Sequence, residues 1–367
     1  MRILIAGGGT AGHVFPALAL ARRLAEQGHD VRFAGTAKGK ESSLVPEAGF
    51  AFVEVEARPF VRKPSWGALA APITAARSVG RLRPSVEACD VVVGMGGYVS
   101  VPVALAALRG RRPLVLHEQN AVPGLANRVL ARGARSIALV FAEAARGLPR
   151  RARTVVTGNP VRDAILAVRT DRERLAKDAL AAFGLDAARR TVFVFGGSQG
   201  ALHLNRATVD VVRRLRRQDV QIVLLTGPAH AERIRTELEA DGTIPVTTMA
   251  FLERMELAYA AADLVVARAG ATTVAEVSVC GVPSVLVPYP YATGRHQEAN
   301  ARALQRAGGA SVLLDDELSG PVLAERITGL LDDPERLHSM GERAREWSRP
   351  DAAEALAGVV LDAGEAV

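Results

Sequence analysis

The stretch that decides the fold opens the chain: Met1-Arg-Ile-Leu-Ile-Ala-Gly7-Gly-Gly-Thr10-Ala-Gly-His13-Val-Phe15. Apolar residues 3–6 predict a short buried strand, and the glycines predict a tight turn. The apolar spacing from Val14 to Ala25 predicts a helix that Gly28 ends. A strand, a glycine turn and a helix form the first unit of a nucleotide-binding α/β fold, because turn N–H groups and a helix N-terminus attract an anion.

This turn matches the G-x-G-x-x-G pattern of dinucleotide-binding turns through Gly7, Gly9 and Gly12. A dinucleotide site also needs an acidic residue about 20 positions further on, at the end of the second strand. The predicted second strand ends in Gly35-Thr36-Ala37, and Asp30 precedes it. The sequence therefore disfavours a dinucleotide. It leaves open a turn without a ligand and a turn that serves another phosphate compound.

Composition restricts the class of protein. A chain of 367 residues, 49% of them hydrophobic, suits two domains with ordinary cores. Cys89 and Cys280 lie in apolar runs and are typical of buried thiols. We expect no signal peptide and no membrane-spanning segment. The net charge of +7 favours acidic partners such as phosphates, nucleic acid or an anionic membrane, without choosing among them.

Strands and helices alternate along the whole chain, which predicts parallel sheets of the α/β class. We expect two doubly wound Rossmann-like domains that face each other across a cleft. The predicted domains are 1–160 and 161–349, and a C-terminal helix in 350–367 is expected to pack back on the first. The predicted strands lie near 2–6, 31–35, 51–55, 90–94, 113–117, 135–140 and 153–157, and then near 191–195, 220–225, 245–248, 263–267, 283–287 and 310–314.

Glycine-rich and polar segments follow the predicted strands of both domains. Doubly wound sheets bind ligands at the carboxyl ends of their strands, so these segments predict a site at the edge of each sheet. The segments are Thr10–His13, Gly94–Ser100, His117–Asn120, Gly196–Ala201, Arg268–Glu276 and Arg295–Asn300.

Several residues of the second domain suit a sugar nucleotide. Gly270-Ala-Thr-Thr273 opens a helix, so its N–H groups, hydroxyls and dipole suit a diphosphate. Glu276 lies one turn further and could accept hydrogen bonds from two ribose hydroxyls, or it could be a solvated helix acid. Ser198 could donate to phosphate or simply cap a helix. Gln297 and Asn300 carry amides that suit sugar hydroxyls or begin a polar helix.

Two residues of the first domain are candidate general bases. His13 is the first choice, because the pKa of histidine lies near the working pH, and Glu118 is the second. A capping or core imidazole is the alternative for His13. His117, at a strand end, is expected to be structural.

A basic and apolar stretch stands apart between Ala57 and Val86, where the chain has no acidic residue. Basic residues beside apolar ones are typical of a helix that lies on an anionic membrane. The alternative is an ordinary helix that covers the sheet and solvates a basic face. Few aromatics disfavour a nucleic-acid surface. The residues expected at the membrane are Trp66, Leu69, Ile73, Arg77 and Arg81.

The sequence has no P-loop pattern, no Asp-x-Asp pair and no His/Cys cluster with metal spacing. We therefore expect no cofactor and no metal ligands in the protein. A diphosphate would then be stabilised by backbone N–H groups, a helix dipole and arginine.

Taken together, the segments resemble one known family, the bacterial peptidoglycan glycosyltransferases that move N-acetylglucosamine from UDP onto lipid I to give lipid II. The similarity runs in order from residue 7 to about 300. Ala11 departs from it, because the family's turn usually has another glycine there. The segments that carry it are Gly8-Gly-Thr-Ala-Gly-His-Val-Phe-Pro16, Gly94-Met-Gly-Gly-Tyr-Val-Ser100, His117-Glu-Gln-Asn120, Gly158-Asn-Pro-Val-Arg162, Gly196-Gly-Ser-Gln-Gly-Ala201 and Arg268-Ala-Gly-Ala-Thr-Thr-Val-Ala-Glu276.

The resemblance implies a GT-B fold whose second domain binds the donor. It implies that the Leu252 backbone reads uracil, that Glu276 holds the ribose and that Gln297 holds the sugar. Diphosphate contacts would come from Ala271, Thr272 and Thr273. Further donor contacts would come from Thr10, Ala11, Gly12, Asn120, Arg162, Ser198, Val274 and Ala275. The acceptor side would include Gly96, Gly97, Tyr98 and Asn127.

The resemblance further implies an inverting transfer to the C4 hydroxyl of lipid I. The partners would be UDP-N-acetylglucosamine, lipid I and an anionic membrane surface, without nucleic acid. The resemblance also makes cell-wall and division proteins candidates for further partners. The enzyme would be peripheral, on the cytoplasmic face of the cell membrane. The alternatives are a UDP-N-acetylglucosamine epimerase of the same fold and a nonenzymatic nucleotide-binding or membrane scaffold.

Overall fold

The computed structural model describes residues 1–57, 78–197, 199–239 and 244–365. The chain divides into two compact units. The N-terminal unit comprises Met1–Arg162 and Arg349–Val367, and the C-terminal unit comprises Asp163–Ser348. Five residues with a predicted role lie outside the described residues: Trp66, Leu69, Ile73, Arg77 and Ser198.

The N-terminal unit contains a seven-stranded sheet. Its strands are β1 (Arg2–Ala6), β2 (Asp30–Gly35), β3 (Ala51–Glu54), β4 (Val91–Gly94), β5 (Leu114–Glu118), β6 (Ser136–Leu139) and β7 (Thr154–Val156). All the pairs are parallel, in the order β3-β2-β1-β4-β5-β6-β7. The chain order therefore reverses between β1 and β4, and such a switch point is where doubly wound sheets bind ligands.

Helices cover both faces of this sheet. They are α1 (Ala11–Glu26), α2 (Glu41–Glu47), α3 (described over 78–87), α4 (Ser100–Arg109) and α5 (Leu125–Leu130), with a 3-10 turn at Ala142–Gly147. Strand side chains alternate between the faces, so Ile3 and Ile5 pack in one core cluster and Leu4 in another. In α3, Leu82 and Val86 are buried against the sheet, as expected of an ordinary covering helix.

The last helix of the chain completes the core of the N-terminal unit. Its side chains Leu356 and Val360 are fully buried in the cluster that contains Ile3 and Ile5. Glu354 on this helix pairs with Arg23 of α1. Burial of one such aliphatic side chain is worth about 1.5–3 kcal/mol, so this packing holds the C-terminus to the first sheet.

The C-terminal unit contains a six-stranded parallel sheet in the order β10-β9-β8-β11-β12-β13. Its strands are β8 (Arg190–Phe195), β9 (Val220–Leu225), β10 (Val246–Met249), β11 (Leu264–Ala267), β12 (Ser284–Leu286) and β13 (Ala310–Val312). Its helices are α6 (Asp163–Leu166), α7 (Val168–Phe183), α8 (Leu202–Arg214), α9 (Ala231–Glu239), α10 (Met255–Ala261), α11 (Ala271–Cys280), α12 (His296–Arg306), α13 (Gly320–Leu331) and α14 (Pro334–Trp347). The last helix of the chain, which packs in the N-terminal unit, is α15 (Ala352–Glu365). The switch point of this sheet lies between β8 and β11.

The fold class predicted from the sequence is confirmed. Both sheets are parallel and doubly wound, and the predicted seven and six strands are present. Cys89 and Cys280 are buried free thiols, as expected. Burial raises the pKa of both.

Candidate active site

At the switch point of the N-terminal unit, two glycine turns meet backbone to backbone. A methyl group on Gly97 would lie 2.7 Å from the Gly8 carbonyl oxygen. Gly9 has φ +85°, and a methyl group there would lie 2.8 Å from the Tyr98 ring. The Ser100 hydroxyl lies 2.8 Å from the Ala6 carbonyl oxygen and 2.6 Å from that of Gly96, which joins the two turns. Glycine is required here because the space of a side chain is taken.

His13 lies on the first turn of α1, half-buried against these turns. A methyl group on Gly96 would lie 3.0 Å from His13 Cδ2, so the ring packs on that glycine. Its Nδ1 is 2.9 Å from the Thr10 hydroxyl. Thr10 is the N-cap residue, but within the described part of the chain its side chain forms no capping hydrogen bond. The hydroxyl pairs with the imidazole instead.

Glu118 ends β5, and its carboxylate organises the loop that follows. One oxygen accepts from Asn120 N at 3.0 Å. The other accepts from Gly124 N at 3.0 Å and from Asn127 Nδ2 at 2.8 Å. Glu118 and Asn127 are both buried, at 3% and 8% exposure. The contacts favour a positioning role for both side chains.

His117 is a buried structural imidazole, as expected. Its Nε2 lies 3.2 Å from the Gly158 carbonyl oxygen and donates to it. Burial is the main cause that lowers the pKa of His117 to about 4, against the hydrogen bond to Gly158, and His13 lowers it further whenever its own ring is protonated. The ring is therefore neutral near pH 7.

Two residues, Phe15 and Glu41, form contacts that the sequence analysis did not foresee. The guanidinium of Arg162 stacks on Phe15, 4.5 Å from the ring centroid, so Phe15 of α1 anchors the predicted donor contact. Glu41, the first residue of α2, is fully buried and accepts a hydrogen bond from Gly9 N at 2.9 Å. An acid two residues after Gly39, at a helix start, carries no distinctive signal in the sequence.

At the switch point of the C-terminal unit, a second pair of turns meets closely. Gly200 has φ +76°, and a methyl group there would lie 2.2 Å from the Thr226 carbonyl oxygen. The Asn205 side chain of α8 donates to that oxygen at 2.8 Å. The predicted glycine turn is thus built against the end of β9.

Helix α11 begins beside this turn, directly after β11. Its N-cap residue is Gly270, and its first turn, Ala-Thr-Thr-Val, has no acid. Thr272 and Thr273 are half-buried, whereas Ala271, Val274 and Ala275 are buried. Ala271 can therefore offer a ligand little besides its backbone N–H, and the Val274 N–H already donates to the Gly270 carbonyl oxygen at 2.9 Å. Asn300 is fully buried and donates to the Ala269 carbonyl oxygen at 3.3 Å, so its amide supports the turn.

Glu276, one turn further along α11, is only 6% exposed, which excludes the solvated helix acid. Its Oε2 accepts from the hydroxyl of Tyr259 at 2.9 Å. Tyr259 is fully buried, and its ring lies edge-on to Phe193 and Phe195. The aromatic packing fixes the hydroxyl, and the hydroxyl orients the carboxylate.

The other predicted donor contacts lie in loops of the same unit. Gln297 is half-buried at the start of α12, and its Oε1 accepts from Tyr289 N at 2.9 Å. This contact leaves the amide NH₂ as the group suited to a sugar hydroxyl. Leu252 is half-buried between β10 and α10, beside the exposed Phe251.

Among the described residues, no group of His, Cys, Asp and Glu could hold a metal ion. No helix of the described ranges is long and apolar enough to cross a membrane.

Two family models match most of the chain. Residues 3–139 match the N-terminal domain of glycosyltransferase family 28, and residues 191–356 match its C-terminal domain. The two parallel sheets with their switch-point turns have the GT-B fold. The fold and the two family matches together show that the protein is a glycosyltransferase built from two Rossmann-like domains.

The similarity to individual proteins extends over the full chain. The UDP-N-acetylglucosamine--N-acetylmuramyl-(pentapeptide) pyrophosphoryl-undecaprenol N-acetylglucosamine transferase of Halothermothrix orenii is 41% identical over 99% of both chains. The crystal structure of Acinetobacter baumannii MurG has a TM-score of 0.79 at 29% identity, covering 98% of this chain and 99% of that one. The chain belongs to this family of N-acetylglucosamine transferases, as the sequence predicted.

A UDP-GlcNAc 2-epimerase from Neisseria meningitidis shares the fold, with a TM-score of 0.69 over 99% of this chain and 100% of that one. Its identity is 13%, so this likeness extends to the fold alone. The comparison favours the transferase over the epimerase alternative.

Proposed function

We propose that the chain transfers N-acetylglucosamine from UDP-N-acetylglucosamine to the C4 hydroxyl of lipid I, giving lipid II. The observation that carries this proposal is the 41% identity to a transferase of that name over 99% of the chain. The C4 oxygen attacks the anomeric carbon, the bond from that carbon to the diphosphate oxygen breaks, and UDP leaves from the opposite face. The anomeric configuration is thereby inverted.

The C-terminal unit is proposed to bind the donor. The start of α11 offers N–H groups and a helix dipole to the UDP diphosphate, with no acid in the first turn to repel it. Glu276 can accept from the ribose hydroxyls, held in place by Tyr259. Gln297 suits the sugar, the Leu252 backbone suits uracil, and Ser198 and Arg162 are predicted as further contacts. No cofactor and no protein-held metal takes part in this proposal.

His13 is proposed as the general base. In the tautomer whose Nδ1–H donates to the Thr10 hydroxyl, Nε2 is the basic nitrogen of the ring and would accept the C4 proton. Glu118 is less suited, because its two oxygens already accept three hydrogen bonds from the loop at 120–127. Thr10, Ala11, Gly12 and Asn120 are predicted to approach the donor, while Gly96, Gly97, Tyr98 and Asn127 belong to the acceptor side.

The proposed reaction is tested with purified protein, UDP-N-acetylglucosamine and a lipid I analogue. We expect release of one UDP for each β-1,4-linked disaccharide. Conversion of the donor to an epimer without an acceptor would favour the epimerase, and donor binding without turnover would favour a scaffold.

The N-terminal unit is further proposed to lie on an anionic membrane, on its cytoplasmic face. Leu125 and Val129 are 76% and 55% exposed and lie four residues apart on α5, with Arg128 and Arg132 beside them. An exposed apolar pair among arginines suits the interface of an anionic bilayer. Arg81, predicted to lie at a membrane surface together with Trp66, Leu69, Ile73 and Arg77, is exposed and pairs with Glu56. Cell-wall and division proteins remain predicted partners.

Vesicles of phosphatidylglycerol and phosphatidylcholine test this surface. The double variant Leu125→Ser, Val129→Ser should float with the vesicles several-fold less than the unmodified protein, because two apolar contacts are lost. The matched control is Leu105→Ser with Val155→Ser, which changes two other exposed residues of the same unit (38% and 37% exposed). Equal loss in both pairs, or in neither, would contradict the assignment to α5.

A further inference from the structure

Glu41 is an acid in an unexpected place. It begins α2, yet its side chain is fully buried beneath the glycine turn that follows β1. Oε2 accepts from Gly9 N at 2.9 Å. Oε1 accepts from Thr36 N at 3.0 Å and from the Thr36 hydroxyl at 2.8 Å. One carboxylate thus joins the turn after β1 to the end of β2.

Three glycines from three segments leave room for this carboxylate. A methyl group on Gly8 would lie 2.3 Å from Oε1, and one on Gly39 would lie 2.1 Å from Oε2. A methyl group on Gly35 would lie 2.5 Å from Cγ of the same side chain. The chain therefore has small residues around Glu41 on the turn, on the strand end and on the loop before α2.

The carboxylate is charged in the folded protein. Burial acts to raise the pKa of Glu41, but hydrogen bonds from Gly9 and Thr36 and from its own N–H lower it below the usual value. Its position in the first turn of a helix also favours negative charge. In the described residues its bonded partners are N–H and O–H groups, which orient the carboxylate more narrowly than a mobile cation would.

Of these hydrogen bonds, the one from the Gly9 N–H to Glu41 acts on the glycine turn itself. In a nucleotide-binding turn, such an N–H points at a phosphate of the ligand. Here the Gly9 N–H is taken by an anion of the protein itself. The next residue of the turn is Thr10, whose hydroxyl holds His13. Fixing Gly9 therefore fixes the start of the segment that carries the imidazole.

We propose that Glu41 is a positioning residue, an internal anion that takes the place of a substrate phosphate under the first glycine turn and holds Thr10 and His13 in their reactive arrangement. The proposal rests on the proposed role of His13. Glu41 itself touches no substrate.

Glu41→Gln tests the proposal, because it keeps the size of the side chain and replaces one acceptor oxygen by an NH₂ group. That group would meet an N–H donor at Gly9 or Thr36. We expect kcat to fall roughly 10²-fold, the cost typical of a catalytic group misplaced by about 1 Å, with the donor KM unchanged. The assay is run at a temperature where circular dichroism shows the variant folded.

The matched control is Asp90→Asn in the same unit. Asp90 also accepts from a backbone N–H, that of Arg2 at 2.8 Å, but at the opposite edge of the sheet. The Asp90→Asn variant should therefore leave kcat unchanged. Thr36→Val removes the hydrogen bond from the Thr36 hydroxyl and keeps the carboxylate, so it should lower kcat by a few-fold with the same unchanged donor KM. If Glu41→Gln does not fold, Thr36→Val decides.

The His13→Ala background separates this inference from the proposed function. If Glu41 acts through His13, Glu41→Gln should cost nothing further in His13→Ala. Full kcat in a folded Glu41→Gln, or a loss that persists in the His13→Ala background, would overturn the inference. Full kcat in His13→Ala alone would instead remove the base from the proposed function.

Discussion

The two switch points use the same strand, glycine turn and helix in different ways. Each has a buried acid nearby, Glu41 in the N-terminal unit and Glu276 in the C-terminal unit. Glu41 accepts from the Gly9 N–H of the turn itself. Glu276 lies one turn into its helix and accepts from the hydroxyl of Tyr259, so the start of α11 has no acid.

From this difference we infer that the first turn positions side chains, whereas the second turn and the start of α11 bind the ligand. A turn whose N–H is taken by a protein carboxylate presents side chains, here Thr10 and His13. A helix start without an acid keeps its positive end for the anion of a ligand. We expect changes at the first turn to alter kcat and changes at the second to alter the donor KM.

The largest expected effect is that of His13→Ala. Loss of a general base costs roughly 10²–10⁴ in rate, so kcat should fall by that factor while the donor KM stays nearly constant. Steady-state kinetics with the lipid I analogue measure both. Thr10→Val, which keeps the imidazole and removes its partner, should cost less than His13→Ala. Near-normal turnover of His13→Ala would break the contrast between the two units.

Acid should weaken the N-terminal unit through His117. Its folded pKa is about 4 against 6.5 ordinarily, so below pH 6.5 the unfolded chain takes up the proton first. The contribution of His117 to the free energy of unfolding is fully present above pH 6.5, and it decreases by about 3 kcal/mol as the pH drops to about 4. Urea unfolding at several pH values measures this loss. His117→Gln keeps an N–H for Gly158 without titrating, and an equal pH dependence in that variant would contradict the prediction.

The smallest expected effects are at Glu276, the carboxylate proposed to hold the ribose. Glu276→Ala should raise the donor KM roughly 10- to 100-fold, because hydrogen bonds to a charged group are worth about 1.5–3 kcal/mol. Tyr259→Phe keeps the packing on Phe193 and Phe195 and removes one donor to Glu276. It should raise the donor KM by about 5-fold, with kcat little changed. An unchanged donor KM in both variants would refute the ribose role.

Local patterns were sufficient for the elements and for the edges where the site lies. Strand bounds such as Val220–Leu225 agree with the prediction, since apolar runs and glycines act within a few residues. The roles of the acids were not accessible in this way. Glu118 looked like a second base, yet the structure gives its oxygens to Asn120, Gly124 and Asn127.

By itself, the sequence determined the class of fold, the family and the residues at the carboxyl edges of the strands, because periodicity, glycine turns and strand order follow from neighbouring residues. Only the tertiary structure decided what each acid does. The partners of a carboxylate are set by folding, as with Gly9 and Glu41, which lie 32 residues apart, and Tyr259 and Glu276, which lie 17 apart. Whether a buried carboxylate binds a ligand or holds a turn depends on which donors folding brings within 3 Å of it.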